Sequence, residues 1–212
     1  TFKLTDQLSG RMMGIRADIT PQAARIDAHS LNRQGPSRLC YAGTVLQTKP
    51  RAPLESRTPI SIGVELFGEA GIGADIEVIE LFLKTLETVG VNDVHLDIGH
   101  VDILRGLLVG SKLSDAQESE LFELLQRKAN AELDAWIAEN ITDTKLAGWL
   151  KSLPALSGSK DVLAEAKKCL AGAPKPVIAA LDQLDQIVAA LSSQEVTIYL
   201  DLGDLAGYRY HT

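Results

Sequence analysis

The chain has 212 residues, of which 45% are hydrophobic and 23% are charged, an ordinary composition for a globular protein. Its 28 acidic residues against 21 basic ones leave a net charge of −7, which argues against a broad nucleic-acid-binding surface, because such a surface is basic. No transmembrane helix or signal peptide is evident, and Cys40 and Cys169 form no paired motif, so we expect a cytoplasmic protein with two free thiols.

The first predicted elements are a hairpin and a helix. Two β-rich runs, residues 1–6 and 11–16, flank a glycine-containing turn and predict the hairpin. Thr20 followed by proline predicts a helix start, because threonine is a good N-cap and proline suits the first helical position. We expect this helix to reach about Ser30, with Ala24 and Ile26 among its buried residues.

The next eighty residues alternate between strand and helix signals. The clearest helical period joins Ile76, Ile79 and Leu83 on one apolar stripe. Two prolines in the link 48–58 suit a long exposed hairpin loop. We predict strands at 38–47, 59–67 and 94–98, and helices at 74–89 and 101–113.

The character of the sequence changes near Ser114, which opens a capping box with Gln117. From there to about residue 191 the chain is rich in helix-forming residues, and 195–202 returns to β character. We therefore expect an α/β body, residues 1–113 and 192–212, interrupted by a helical insertion, residues 114–191. Both ends look cut inside strands, which predicts an internal fragment of a longer protein.

Asp18 and Thr20 stand where a strand gives way to a helix. Side chains at such a strand end project into a crevice beside the helix N-terminus, which suits a ligand. The alternative is that both residues only cap the helix.

Glu65 is a carboxylate in an otherwise apolar strand. Period-two alternation places Ser61, Gly63 and Glu65 on one face of that strand. A buried carboxylate is costly unless it is paired, so Glu65 needs a cation or hydrogen-bond donors there. The alternative is an acid at the strand edge that faces water.

Other polar clusters carry weaker signals. Residues 95–102 contain two histidines and two aspartates, but a strand projects only His95 and Asp97 together, so a strand-to-helix junction is favoured over a metal site. The glycine-rich run 68–73 lacks a phosphate-binding ending and predicts a turn. Lys49, Arg51 and Arg57 could bind an anion, although a solvated loop is the preferred interpretation.

Separated segments of the chain resemble, in the right order, those of histidyl-tRNA synthetases, which are class II aminoacyl-tRNA synthetases. Residues 14–22 are similar to the segment whose acid and threonine hold the histidine amino group, residues 63–68 to a Gly-x-Glu-x-Phe-Gly run, and residues 204–212 to the histidine-binding strand. The resemblance implies an α+β fold, with a class II antiparallel sheet flanked by helices. It also implies a histidine site, which would comprise Asp18, Thr20, Ser61, Glu65, Tyr210 and His211.

The same resemblance implies that two catalytic cations are lost. Gln47 stands where the synthetases have the arginine that grips the ATP α-phosphate, and Ala206 stands where they have an arginine before Gly207. An adenylating enzyme needs such fixed positive charge to stabilise its transition state. We therefore expect no catalytic residue, metal or cofactor. Ser61 and His211 also depart from the synthetases, which have glutamine and a second tyrosine there.

A narrower resemblance is to the synthetase-like regulatory subunit of ATP phosphoribosyltransferase, carried by residues 14–29, 38–43, 97–107 and the last eight residues. It implies a non-catalytic protein that joins the short-form catalytic subunit, supports its activity and transmits histidine feedback inhibition in the first step of histidine biosynthesis. Self-association of the full-length protein is implied, and neither a membrane nor a nucleic acid is an expected partner. Histidine could bind in the synthetase-like pocket or at the contact between subunits.

Two other functions stay open from the sequence. One is a histidyl-tRNA synthetase that activates histidine with ATP. The other is a synthetase-like paralogue that serves another pathway. The surface that meets a catalytic subunit, the role of the insertion and the oligomeric state of this fragment are not specified by the sequence.

Overall fold

The computed structural model describes residues 2–50, 52, 55–194 and 196–204. Its contacts divide the chain into two compact units, Thr1–Phe82 and Leu83–Thr212. Helices and strands both contribute, as expected for an α+β fold. The division falls within a helix and not at residue 114, so the boundaries of the helical insertion stay a prediction.

The first unit begins with the predicted hairpin. Strands β1 (Phe2–Thr5) and β2 (Met12–Ile15) pair antiparallel, with Phe2 opposite Ile15. The turn between them is closed by Asp6, whose carboxylate accepts hydrogen bonds from the backbone N–H groups of Leu8 and Ser9, both at 3.2 Å.

Helix α1 (Thr20–Ile26) begins where the sequence predicted, but its cap is different. The N-cap is Ile19 and not Thr20, and the first turn contains the predicted proline. Ala23, four residues after Ile19, is the buried residue of the helix, whereas Ala24 is half-buried and Ile26 is exposed. The expected burial of Ala24 and Ile26 was therefore wrong, because the buried face of the helix follows Ile19 and Ala23. A π-helical turn, Asp27–Leu31, extends the helix to a left-handed Asn32.

Strands β3 (Ser37–Thr44) and β4 (Ile60–Phe67) form the second antiparallel pair, in a register that sets Tyr41 opposite Gly63. Alternation gives this pair two faces. We call the face that carries Tyr41, Gly63 and Glu65 the site face. The opposite face, here called the outer face, leaves Ile60 75% and Ile62 66% exposed.

A turn and a long helix complete the first unit. Gly68 has φ +80°, and a Cβ there would come within 2.7 Å of the Gly35 carbonyl oxygen, so the turn requires glycine. This confirms a turn at the start of the predicted run 68–73, whose last two residues belong to the next helix. Helix α2 (Ile72–Thr88) follows, and its Glu77 pairs with Arg38 of β3 at 2.5 Å. Among the described residues of this unit, the buried apolar side chains are Ile19, Ala23 and Val45.

The second unit contains a three-stranded sheet with the order β5-β7-β6. Strand β5 (His95–Ile98) pairs parallel with β7 (Thr197–Asp201), and the two-residue β6 (Ser157–Gly158) pairs antiparallel with β7. Strands β5 and β7 confirm the predicted runs at 94–98 and 195–202. The sequence analysis did not find β6, since two residues are too few to show an alternating pattern.

Helices make up most of the second unit. Helix α3 (Val101–Leu108) ends short of the predicted residue 113, in a type II turn in which Val109 has ψ 118°, Gly110 has φ +80° and the Ser111 N–H donates to the Leu108 carbonyl at 2.9 Å. The capping box of Ser114 and Gln117 is confirmed at the start of the next helix. The remaining helices are α4 (Asp115–Gln126), α5 (Asn130–Asn140), α6 (Thr144–Ser152), α7 (Val162–Cys169) and α8 (Lys175–Ala190).

The core of the second unit is a large cluster of leucine, isoleucine, valine and alanine side chains contributed by α3 to α8 and by β7. Helices α3 and α8 approach each other closely at Gly106, where a Cβ would come within 2.8 Å of Val177 Cγ2. Glycine at this point therefore lets the two helices pack at short range. In the part of the chain that the structure describes, no helix is both long and apolar enough to cross a membrane.

Candidate functional site

The structure brings Thr20 and Glu65 together, although 45 residues separate them in sequence. The Thr20 hydroxyl donates a hydrogen bond to Glu65 Oε1 at 2.5 Å, and both side chains are half-buried. Thr20 opens α1, and Glu65 projects from the site face of β4. The expected need of Glu65 for hydrogen-bond donors is met in part by this hydroxyl.

Tyr41 completes a chain of hydroxyl groups leading to Glu65. Its hydroxyl lies 3.2 Å from Thr20 Oγ1. An ionised carboxylate can only accept hydrogen bonds, so the Thr20 hydroxyl must be the donor to Glu65. The Tyr41 hydroxyl must then donate to Thr20 Oγ1. This relay fixes the orientation of Glu65 Oε1.

Gly63 makes room for the tyrosine. It is the cross-strand partner of Tyr41, and a Cβ at Gly63 would overlap the Tyr41 hydroxyl and the ring carbon that carries it. The strand thus needs glycine here for the phenol ring to lie across it. The spacing of two residues between Gly63 and Glu65 places both on one strand face and sets the Tyr41 hydroxyl near the carboxylate.

Asp18 and Ser61, the other predicted site residues in the described part of the chain, have different surroundings. The Asp18 carboxylate accepts hydrogen bonds from the backbone N–H groups of Ile19, at 2.6 Å, and Thr20, at 3.3 Å. These contacts lie just before α1, whose N-cap is Ile19, and the role of Asp18 in a ligand site stays a prediction. Ser61 lies on the site face opposite Gly43. Nothing in its position opposes a role in a pocket.

In the loop after β3, the structure shows two contacts of Arg57. Arg57 donates from Nε to the Gln47 carbonyl at 3.2 Å, and its guanidinium lies 5.0 Å from the centre of the Phe2 ring. These two contacts hold the Arg57 side chain against the loop and against β1. Gln47, at the predicted position of a lost arginine, is half-buried and takes part in this pairing through its backbone.

Part of the predicted site lies outside the described residues. Ala206, Gly207, Tyr210 and His211 belong to residues 205–212, and Arg51 falls in the loop after β3. Their predicted roles remain predictions from the sequence.

Several residues of the site were not found by sequence reasoning. Tyr41 and Gly43 were read only as part of a family-like run, and Gly63 only as a face neighbour of Glu65. Period-two alternation along β3, combined with its pairing to β4, is the signal that would have placed Tyr41 opposite Gly63.

His100 has a structural role at a strand-to-helix junction of the second unit. His100 caps α3 by accepting from the Asp102 N–H at 3.2 Å, and its Nε2 lies 2.7 Å from Gln183 Oε1. This confirms the predicted strand-to-helix junction at 95–102. Within the described ranges, no group of three or more histidine, cysteine, aspartate or glutamate residues is arranged to hold a metal ion.

An ion pair between an exposed lysine and a buried aspartate lies at the end of the small sheet. Lys128, which has φ +49°, contacts Asp201 at 2.6 Å, and this hydrogen bond raises the pKa of Lys128. Burial raises the pKa of the neighbouring Asp97, and the carboxylates of Asp201 and Asp204 raise it further. The pair joins the turn between α4 and α5 to the end of β7, which is a structural function.

The chain matches a family model and curated relatives along its full length. The family model described as "Histidyl-tRNA synthetase" matches residues 1–212. The ATP phosphoribosyltransferase regulatory subunit of Saccharophagus degradans is 56% identical over 214 residues, which cover 100% of this chain and 54% of that protein. The chain thus spans about half the length of the curated relatives it matches.

Solved structures share the fold. A protein from Bacillus halodurans, described as "ATP phosphoribosyltransferase regulatory subunit/histidyl-tRNA synthetase", superposes with a TM-score of 0.83 at 27% identity and covers 100% of this chain and 55% of its own. An "ATP phosphoribosyl transferase (HisG:HisZ) complex" from Thermotoga maritima superposes with a TM-score of 0.73 at 16% identity, over 99% of this chain and 72% of that one. At that identity the second likeness concerns the fold alone.

Proposed function

Because this chain belongs to the histidyl-tRNA synthetase family, we propose that the full-length protein is a regulatory subunit of ATP phosphoribosyltransferase. It would support the activity of the short-form catalytic subunit and transmit histidine feedback inhibition in the first step of histidine biosynthesis. The observation that carries the proposal is the hydrogen bond from Thr20 to Glu65. This hydrogen bond would orient the carboxylate of an amino-acid site, in a chain where Gln47 stands at the position that the resemblance gives to the ATP-binding arginine.

The proposed ligand site is the site face of the β3–β4 pair. Glu65 would accept the ammonium group of histidine, with Thr20 orienting its carboxylate. Asp18 and Ser61 would line the same pocket, and Tyr210 and His211 would complete it. A cation beside a half-buried carboxylate offsets the cost of removing that carboxylate from water.

The subunit itself would not catalyse. Adenylation requires preorganised positive charge at the reacting carboxylate and α-phosphate. Glutamine at position 47 and alanine at position 206 supply none. A site that binds an amino acid without reacting with it suits a sensor. Histidine would act by binding one conformation of the assembly more tightly than another, since only differential affinity shifts an equilibrium.

The proposed partner is the short-form catalytic subunit, and the proposal is supported by the name of the Saccharophagus degradans relative, a regulatory subunit of ATP phosphoribosyltransferase. Self-association of the full-length protein and a cytoplasmic location belong to the same proposal. Residues 114–191 would form a helical insertion in the synthetase-like body. This insertion would contain helices α4 to α8.

Reconstitution tests the function directly. The full-length protein is added to a purified short-form catalytic subunit, and formation of phosphoribosyl-ATP is measured with and without histidine. We expect activity to rise on addition of the protein and to fall again with histidine. Unchanged activity, together with no association of the two proteins in size-exclusion chromatography, contradicts the proposal.

A second function has one observation in its favour, because the matching family model is that of an aminoacyl-tRNA synthetase. A synthetase would catalyse histidine- and ATP-dependent exchange of pyrophosphate. We expect the full-length protein to show none above background. A clear exchange rate would establish the synthetase instead.

The hydroxyl relay gives a prediction for the pocket. Tyr41→Phe removes the donor to Thr20 Oγ1 and keeps the ring over Gly63. A neutral hydrogen bond contributes about 0.5–1.5 kcal/mol, so histidine affinity should fall by about two- to tenfold. Isothermal titration calorimetry of the full-length protein measures it. Tyr199→Phe, the same chemical change on β7, is the control and should bind as the wild type does. Equal affinities in all three proteins would exclude the relay.

A further inference from the structure

Arg16 is held at two points beside the site face. Its Nε donates to the Thr44 carbonyl at 3.0 Å, and its Nη1 donates to Gln22 Oε1 at 3.1 Å. The third nitrogen, Nη2, lies above Gly43, in the space that a Cβ on that residue would occupy. The absence of a side chain at Gly43 therefore lets the guanidinium lie against the strand.

One nitrogen of this guanidinium, Nη2, has no hydrogen-bond partner in the described part of the chain. Among residues 2–50, 52, 55–194 and 196–204, no hydrogen bond or ion pair involves Arg16 Nη2. Both partners that hold Arg16 are neutral, so its positive charge is not compensated by them. Asp18, two residues away, turns its carboxylate to the N–H groups of Ile19 and Thr20. An oriented guanidinium with a remaining donor is a good partner for a carboxylate.

The register relates Arg16 to the carboxylate site. Gly43, beneath Arg16, is diagonal to Gly63, beneath the Tyr41 hydroxyl, and such diagonal neighbours lie about 7–8 Å apart. The site face therefore presents a cation above Gly43 and, beyond the tyrosine hydroxyl, the anion Glu65. An α-amino acid carries an ammonium group and a carboxylate on the same carbon, so a ligand that lies between Arg16 and Glu65 could contact both.

We propose that Arg16 binds the carboxylate of the amino acid whose ammonium group is accepted by Glu65. The inference rests on the proposed histidine pocket and adds the residue that recognises the acid end of the ligand. Arg16 would then supply, from the strand-to-helix junction, a positive charge for binding in a chain that lacks the two cations used for ATP activation.

The test compares histidine with histamine, which keeps the imidazole and the ammonium group but lacks the carboxylate. Calorimetric titrations use the full-length wild-type protein and its Arg16→Gln variant. Removing a charge-assisted hydrogen bond should weaken histidine binding roughly 10- to 100-fold. Histamine affinity should be the same in both proteins, so the preference for histidine over histamine collapses in the variant.

Two further variants distinguish recognition of the ligand carboxylate by Arg16 from a general effect of lost positive charge. Arg25→Gln removes one positive charge from an exposed position on α1 and should bind histidine as the wild type does. Arg16→Lys keeps the charge without the planar fork and should give an intermediate affinity. Thermal unfolding of each variant shows whether the loss of the Thr44 and Gln22 contacts has unfolded the protein.

Three results of these titrations would contradict the inference, and they can be told apart. Unchanged histidine affinity in Arg16→Gln overturns the inference and leaves the pocket assignment standing. Equal weakening of histidine and histamine overturns it too, because it shows that Arg16 only maintains the fold of the site. Failure of the wild-type protein to bind histidine overturns the pocket itself, and the inference with it.

Discussion

Glu65→Gln should lower the affinity of the full-length protein for histidine by about 30- to 1,000-fold, corresponding to about 2–4 kcal/mol. Glutamine has nearly the same shape, and its amide oxygen can still accept the hydrogen bond from Thr20. The substitution therefore removes the negative charge that would meet the ligand's ammonium group while it preserves the contact within the site. Calorimetric titration of the variant measures the loss.

Feedback inhibition should be lost in parallel with binding. In the reconstituted complex, Glu65→Gln should still support the catalytic subunit but require a correspondingly higher histidine concentration for inhibition. Asp75→Asn, which removes a carboxylate charge from an exposed position in the first turn of α2, is the control and should behave as the wild type does. Wild-type histidine binding by Glu65→Gln would place the ligand site elsewhere, for example at the contact between subunits.

Leu181→Ala should reduce the free energy of unfolding of the second unit by about 2–5 kcal/mol. The side chain is fully buried in α8, in the core cluster that joins α3 to α8. Its removal loses apolar burial and leaves a cavity. Trp136 and Trp149 pack against that core, so tryptophan fluorescence during urea denaturation reports the loss.

Ile178→Ala on the same helix is the matched control, because its side chain is 37% exposed. It removes a branched aliphatic side chain of similar size with a much smaller loss of burial. We expect it to cost less than half of what Leu181→Ala costs. Comparable losses for the two variants would show that the core of this unit is not centred where the structure places it.

The sequence predicted most elements of the fold because their signals are local. The hairpin, the capping box at Ser114 and the long stripe of α2 each follow from residue types at fixed spacing. The end of α3 was missed because it depends on the left-handed conformation of Gly110. The buried face of α1 depends on which side of the helix meets the strand pair, and this is a tertiary property.

The site was harder to predict than the fold. Glu65 and Thr20 could be proposed because each stands out against its surroundings and both match a family pattern. Their hydrogen bond, the tyrosine that adds to it and the position of Arg16 arise from pairing across the strands. Sequence alone gives the alternation of one strand but not the register between two strands, and the register brings Tyr41 over Gly63.

The small number of buried apolar side chains in the first unit has a consequence for ligand response. Ile19, Ala23 and Val45 give α1 and its neighbouring strands little apolar burial, so local opening there costs little free energy. A ligand that binds only the closed form raises this cost by RT ln(1 + [L]/Kd), about 2.7 kcal/mol at 100 times Kd. Histidine would then slow amide hydrogen exchange most in the segments that hold Thr20 and Glu65.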